Sequence, residues 1–309
     1  MAVCGAGGAT QGAIMAGLRV AWGLDFSPDA AETWRYNFPE AKMYEMWANE
    51  LCTLSDPEGK LIVEVLHLSP PCQVWSPAHT RPGRDDDMNF ASLYAVQALI
   101  AKARPRIVTL EQTFGIMHKR FRLPMNNLIR MLTDHNFSVS WQILELERLG
   151  LPQKRKRLII VAAAPGETLP PLPEYTHSRD GGRGLMPFRS AERALSSIPH
   201  NAANHDISAS RDGNYWPWDP SSIIPYCITT AGANGMGHPT GLRGLTCREV
   251  ASLQTFPHGH VFKGKKIRKQ IGNAVPPHIS KLIFTCVKKH LEKTDAEENE
   301  KIRVGTTGV

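Results

Sequence analysis

At 309 residues, with 42% hydrophobic and 21% charged positions, the chain has the composition of a globular protein able to bury a full core. No apolar run is long enough to cross a bilayer and no charged-then-apolar secretory start is present, so no membrane partner is expected. Six scattered cysteines without a CxxC pair, and twelve histidines without HExxH-type spacing, argue for reduced thiols inside a cell and against a metal site. The net charge is +7, with basic clusters at residues 154–157 and 263–269. That suits a polyanion partner such as nucleic acid, and equally a solvated surface.

In chain order, residues 20–24 read as a buried strand, and a helix follows with Ser27 as N-cap and Pro28 in its first turn. Further β-rich runs lie at 61–68, 107–110 and 158–163, with a helical period at 90–102. Strands alternating with helices predict an α/β domain with a mostly parallel sheet covered on both faces. A strand should also precede the glycine turn at Gly5, yet only Met1, Ala2 and Val3 are available. A buried strand usually takes about five residues. The first strand is therefore expected to be truncated, to lack part of its ladder and to leave the turn loose. Residues 1–165 form the expected catalytic and cofactor domain, and 166–245, rich in Pro, Gly, Ser, Asn and Trp, a small irregular module. Thr246-Cys247-Arg248-Glu249 matches a capping box ahead of a helix at 250–254, and residues 246–292 end in a helix from His278. The polar segment 293–309 is expected to be a disordered tail.

Five constellations can carry chemistry. Cys4-Gly5-Ala6-Gly7-Gly8, with Asp25 closing the next apolar run, suits a backbone turn against a nucleotide and an acceptor for ribose hydroxyls. An ordinary glycine turn would read the same. Ser69-Pro70-Pro71-Cys72-Gln73 puts a cysteine on a stiff loop after a strand, where α/β sheets bind ligands and where a thiolate can act as nucleophile. Cys4, Cys52, Cys227, Cys247 and Cys286 are read as structural. Glu111 closes a strand and could move a proton beside Cys72. In Gln153-Lys154-Arg155-Lys156-Arg157 the two arginines share a face. Gln270-Ile271-Gly272-Asn273-Ala274-Val275-Pro276 says only "tight turn" locally.

Together and in this order these segments resemble the C5-cytosine DNA methyltransferase family: CGAGG its first motif, PPCQ its nucleophile motif and QKRKR its QxRxR motif. LTCREVASLQTFP resembles the stretch ending the recognition region, and QIGNAVPP the last motif. The likeness spans residues 3 to about 291. Two departures, Glu111-Gln112-Thr113 for Glu-Asn-Val and the stretch Ser76-Pro77-Ala78-His79-Thr80, resemble the fungal subgroup tied to repeat-induced methylation and silencing. The resemblance implies a Rossmann-like S-adenosylmethionine-dependent sheet with a small inserted target-recognition module. It implies Cys72, Glu111, Arg155 and Arg157 as catalytic residues. Gly5, Ala6, Gly7, Gly8, Asp25, Phe26, Asn49 (in place of the family's acidic residue near the adenine), Pro71, Leu93, Asn273, Ala274 and Val275 would hold the cofactor. Gln73, Ser76, Arg81, Arg84, Lys154 and Arg248, with Lys119, would meet double-stranded DNA. A nuclear location and chromatin proteins as further partners follow from the same subgroup. Three other readings remain: a catalytically weak or inactive DNA-binding chromatin protein, an RNA cytosine methyltransferase (though its Cys-Phe-Thr is missing), and a nicotinamide dehydrogenase, which would leave PPCQ and QKRKR unused.

Overall fold

A computed structural model of the chain describes residues 1–56, 58–70, 86–210, 215–230 and 235–306, with the backbone alone at 86–94 and 305–306. Strands β1 (Trp22–Asp25) and β2 (Lys42–Glu45) pair in parallel, as do β3 (Val65–Leu68) and β4 (Ile107–Thr113). Strand β6 (Lys156–Ala163) runs antiparallel between β4 and the edge strand β5 (Ser138–Glu145). Ala2 bridges Leu24 on one side and Leu68 on the other, so the order across the sheet is β2, β1, Ala2, β3, β4, β6, β5. Parallel neighbours need crossovers: α2 (Pro28–Asn37) links β1 to β2 and α4 (Asp86–Ala103) links β3 to β4, while α5 (Arg122–Thr133) leads from β4 to the edge strand β5.

The three-residue start is joined to the sheet on both sides. Ala2 N donates to His67 O at 2.9 Å and Ala2 O accepts from Ser69 N at 3.2 Å, while Cys4 N donates to Leu24 O at 2.9 Å and Met1 O accepts from Leu24 N at 3.1 Å. The expected loss of ladder partners around this turn does not occur. Ala2 bonds the β3 side while Met1 and Cys4, on either side of it, bond β1, so even this minimal strand closes the gap.

Every residue of β4 is buried because both faces are covered. Val108 and Leu110 pack with Val96, Leu99 and Ile100 of α4 and Leu128 and Leu132 of α5. On the opposite face Ile107, Ile159 and Val161 meet Ile279, Ile283 and Val287 of α9 (Pro277–Thr306). That last helix is seated against α1 (Gly8–Met15) by absence of side chain. A Cβ on Gly8 would lie 2.2 Å from Val275 O, and one on Gly12 2.1 Å from Ser280 Oγ. The two indoles at the heart of this half are satisfied, Trp22 Nε1 donating to Leu61 O at 3.1 Å and Trp34 Nε1 to Thr10 Oγ1 at 2.9 Å.

Segment 166–245 holds a small sheet of β7 (His177–Ser178), β8 (Asp180–Gly182) and β9 (Leu185–Pro187), and a short helix α6 (Ala191–Leu195). Ala191, Ala194, Ile224, Ile228 and Leu245 share a core with Val250 and Leu253 of α7 (Cys247–Leu253) and Ile271 of α8 (Ile267–Asn273). The capping box is present: Thr246 Oγ1 accepts from Glu249 N and Glu249 Oε2 from Thr246 N. The tail expectation is corrected, since α9 continues as helix through Thr306. Lys293–Glu297 and Arg303–Glu300 pairs lie along it, and Asp295 is tied to Arg106. Among the described residues no helix is long and apolar enough to cross a membrane, and no group of metal-ligating side chains gathers.

Candidate active site

A cleft of about 480 Å³ opens at the carboxyl ends of the strands, the usual ligand position in an open α/β sheet. Its walls are Val3 to Ala6, Asp25 to Ala30, Trp47, Ser69 and Pro70, Glu111, and Lys266, Lys269, Gln270 and Asn273 to Val275. Residues scattered over the whole chain thus meet because β1, β3 and β4 end side by side and α8 folds back over them.

One half of the cleft is built for an adenosyl group. Gly5 N donates to Asp25 Oδ2 at 2.8 Å and Ser27 N to Asp25 Oδ1 at 2.9 Å. The carboxylate therefore staples the glycine turn to the start of α2. Each of its oxygens can still accept a second bond, as ribose hydroxyls require. Burial pushes the Asp25 carboxyl above its ordinary value, against the pull of those two amides. Phe26 and Trp47 stack with ring centroids 4.0 Å apart and planes within 7°, which supplies a flat aromatic surface for a purine. Acceptor pair, aromatic surface and tight glycine backbone fit S-adenosylmethionine.

The other half holds a buried charge pair. Glu111 Oε1 lies 2.7 Å from Arg157 Nε. Arg157 sits opposite Thr113, two residues beyond Glu111 on the same face, so register alone makes them diagonal neighbours. Arg155 is buried and its guanidinium reaches Cys227 Sγ at 2.9 Å, Ile228 O at 3.0 Å, and Gly272 O and Ala274 O at 3.4 Å. It clamps two loops and supports the site from behind. The Gln112 side chain is fully buried. Its Nε2 donates to Pro70 O at 3.1 Å and its Oε1 accepts from Thr113 N at 2.9 Å. The residue that departs from the family pattern therefore ties the carboxylate's strand to the peptide two positions before Cys72. Beneath, His67 bonds Thr109 Oγ1 at 2.9 Å and Ser69 Oγ at 2.8 Å. Burial, with a smaller push from the amino terminus, lowers its pKa to about 3, so the ring is neutral.

The predicted residues divide sharply. Gly5, Ala6, Asp25, Phe26, Asn273, Ala274, Val275 and Glu111 line the cleft. Gly7 and Gly8 do not: they allow close packing, a Cβ on Gly7 falling 2.3 Å from the Phe38 ring. Asn49 is exposed in the first turn of α3 (Ala48–Thr53), and it is Trp47, ahead of that helix, that enters the wall. Arg248 is not a DNA contact. It is fully buried, with Nε donating to Ala203 O at 2.9 Å, Nη1 to Pro257 O at 3.1 Å and Nη2 to His260 O. Lys154 is exposed ahead of β6, and Lys119 precedes α5 on the surface. Pro71, Cys72, Gln73, Ser76, Arg81 and Arg84 lie outside the described residues, and Leu93 is placed by its backbone in α4. Trp47, Lys266 and Lys269 were not named as site residues from the sequence, and Gln112 appeared there only as a departure from the family pattern. Only the two lysines had a visible signal, their basic cluster.

Comparison with known proteins gives a consistent picture. The model of C-5 cytosine-specific DNA methylases matches residues 2–210 and 189–289. The Type II methylase M.HgiDII of Herpetosiphon aurantiacus is 28% identical over 97% of both chains. The Type II methyltransferase M.NgoFVII of Neisseria gonorrhoeae is 27% identical over 95% of this chain and 88% of its own. Among solved structures, the S. pombe Dnmt2 methyltransferase superposes with a TM-score of 0.66 at 15% identity, over 95% of this chain and 97% of its own. A putative DNA modification methyltransferase of an E. coli prophage also gives 0.66, at 18% identity and 94% and 98% coverage.

Proposed function

We propose that this chain, which belongs to the C-5 cytosine-specific DNA methylase family, transfers a methyl group from S-adenosylmethionine to C5 of a cytosine in DNA. One observation carries the reading. The adenosyl-suited wall, the buried Glu111 carboxyl held by Arg157, and Pro70, two residues before Cys72, meet at a single cleft.

The cytosine must first leave the duplex, because its reactive ring atoms are enclosed in the stack. Cys72, as thiolate, forms a bond to C6, and the ring's electron pair moves toward N3. Glu111, held by Arg157, shares a proton with N3, so that the charge displaced there is neutralised and C5 becomes a carbon nucleophile. When bound, S-adenosylmethionine supplies the methyl group, activated by its sulfonium. Loss of the C5 proton to solvent then restores the ring double bond and expels the Cys72 thiolate, and Glu111 recovers the proton it shared with N3. Asp25, Phe26 and Trp47 hold the adenosyl end while Lys266 and Lys269 place positive charge at the rim.

The test is methyl transfer from labelled cofactor to duplex DNA, with Cys72→Ser beside the wild type. Transfer by the wild type alone supports the proposal. Duplex binding without transfer in either protein supports an inactive DNA-binding relative instead. We also place the chain in the fungal subgroup linked to repeat-induced methylation, acting in the nucleus with chromatin partners. The Glu111-Gln112-Thr113 and Ser76 to Thr80 segments support this. Exclusion of a tagged chain from fungal nuclei would count against it.

A further inference from the structure

We infer that Cys227 is a positioning residue for the reaction, linking the recognition module to the arginine that holds the catalytic carboxyl. The inference rests on the function proposed above. Cys227 is half-buried and belongs to a segment of the recognition module pinned to the catalytic sheet on either side of it. Lys154 N donates to Ile224 O at 2.9 Å and Ile224 N to Pro152 O at 3.0 Å. Ile228 N donates to Gln153 Oε1 at 2.8 Å, and Gln153 is itself fully buried, its amide donating to Leu253 O and Gln254 Oε1.

Between these anchors the thiol points at the paired arginines. Its sulfur accepts from Arg155 Nη1 at 2.9 Å and lies 4.0 Å from Arg157 Nη2, while its own S–H is directed at Ile228 O, 3.3 Å away. Arg155 and Arg157 project from one face of the same extended segment, and Arg157 carries Glu111 at 2.7 Å. The chain of contacts therefore runs from residue 227 through the Arg157 guanidinium to the carboxyl that serves N3, with Arg155 held on the same sulfur. A sulfur at this point can accept from both arginines, and an alanine can accept from neither. Removing it leaves Arg155 its carbonyl partners but takes one contact from each guanidinium of the pair. The reacting geometry should suffer more than binding, because a shift of about 1 Å at a reacting group can cost up to 10²-fold in rate.

The experiment compares Cys227→Ala and Cys227→Ser with the wild type. Single-turnover methyl transfer should fall roughly 5- to 20-fold in Cys227→Ala, with KM for cofactor and duplex within about twofold. Cys227→Ser, which keeps a donor and an acceptor, should return to within about threefold of wild type. A Cys227→Ala enzyme with unchanged kcat, or one impaired only in KM, overturns the proposal, as does failure of serine to rescue. A readout that needs no turnover separates this inference from the proposed function. In a double-mutant cycle of thermal midpoints, Cys227→Ala should matter in the wild type and lose part of its effect in an Arg157→Ala background, where the contact to Arg155 remains. Additive midpoints refute the contact even if the protein methylates DNA. Coupled midpoints with no methyl transfer by the wild type leave the contact standing and remove the function.

Discussion

Replacing Gln112 with leucine keeps the side-chain volume nearly constant and deletes two buried hydrogen bonds. Pro70 O loses the amide donor 3.1 Å away and Thr113 N loses the acceptor at 2.9 Å. The side chain has no exposure to solvent, so water does not substitute. Each stranded group costs about 1–3 kcal/mol, giving roughly 2–6 kcal/mol against a typical total of 5–15. We expect the thermal midpoint to fall by roughly 3–9 °C. Methyl transfer measured below that midpoint should fall about 10- to 100-fold, because Pro70 leads directly to the nucleophile. Gln112→Asn keeps the amide but shortens its reach by one methylene, so it should lie between the two. The assay pairs a thermal melt with single-turnover transfer under excess enzyme. A leucine variant with wild-type melting and rate would refute the reasoning. Lowered melting with a normal rate would show that Gln112 holds the sheet and not the nucleophile.

Glu111→Gln preserves shape but cannot cycle a proton, and it should cost on the order of 10²–10⁴-fold in single-turnover rate; an unchanged rate would mean that N3 is served by another group. Asp25→Ala removes the acceptor shared by Gly5 N and Ser27 N and should weaken cofactor binding roughly 10- to 100-fold with little change in duplex binding, as titration calorimetry would read. His67 and His260 are pushed down to about 3 from an ordinary 6.5, in both cases chiefly by burial and then by a nearby positive charge. The unfolded chain therefore binds more protons in that window, and stability should fall as pH drops below about 6.5, by up to about 1.4 kcal/mol per pH unit for each ring. His260 sits among Phe38, Phe256 and Phe262, so His260→Phe should flatten urea-derived stability between pH 7.5 and 5; an unaltered slope would remove this histidine from the account.

What was legible in the sequence was mostly local. The Thr246–Glu249 box, the Pro28 helix start and the strand at 107–110 depend on neighbours within a few positions, and the structure holds all three. The glycine turn with Asp25, and Glu111 at a strand end, were readable because sheet topology forces strand ends together. Residues whose role depends on distant partners were not. Arg248 carries a charge and looks like a surface contact, yet carbonyls at 203, 257 and 260 enclose it. Trp47 offers no pattern of its own; its meaning comes from stacking on Phe26, 21 positions earlier. Gln112 read only as a departure from the family pattern because its partner, the Pro70 carbonyl, lies 42 positions back.

The seating of α1 on α9 also governs how the molecule is made. Ser280 Oγ donates to Gly8 O across 272 positions, and the Val275 backbone lies against the same glycine. The first helix is synthesised long before its packing surface, which lies some 272 positions later. Contacts of such long sequence separation slow folding, since a very large loop must close before they stabilise anything. At about 5–20 residues per second, synthesis keeps α1 waiting for tens of seconds with its glycine face open. The cofactor turn at Gly5 is thus completed only after the recognition module has emerged. A nascent chain should acquire cofactor affinity late and all at once, when residues 275–291 leave the ribosome.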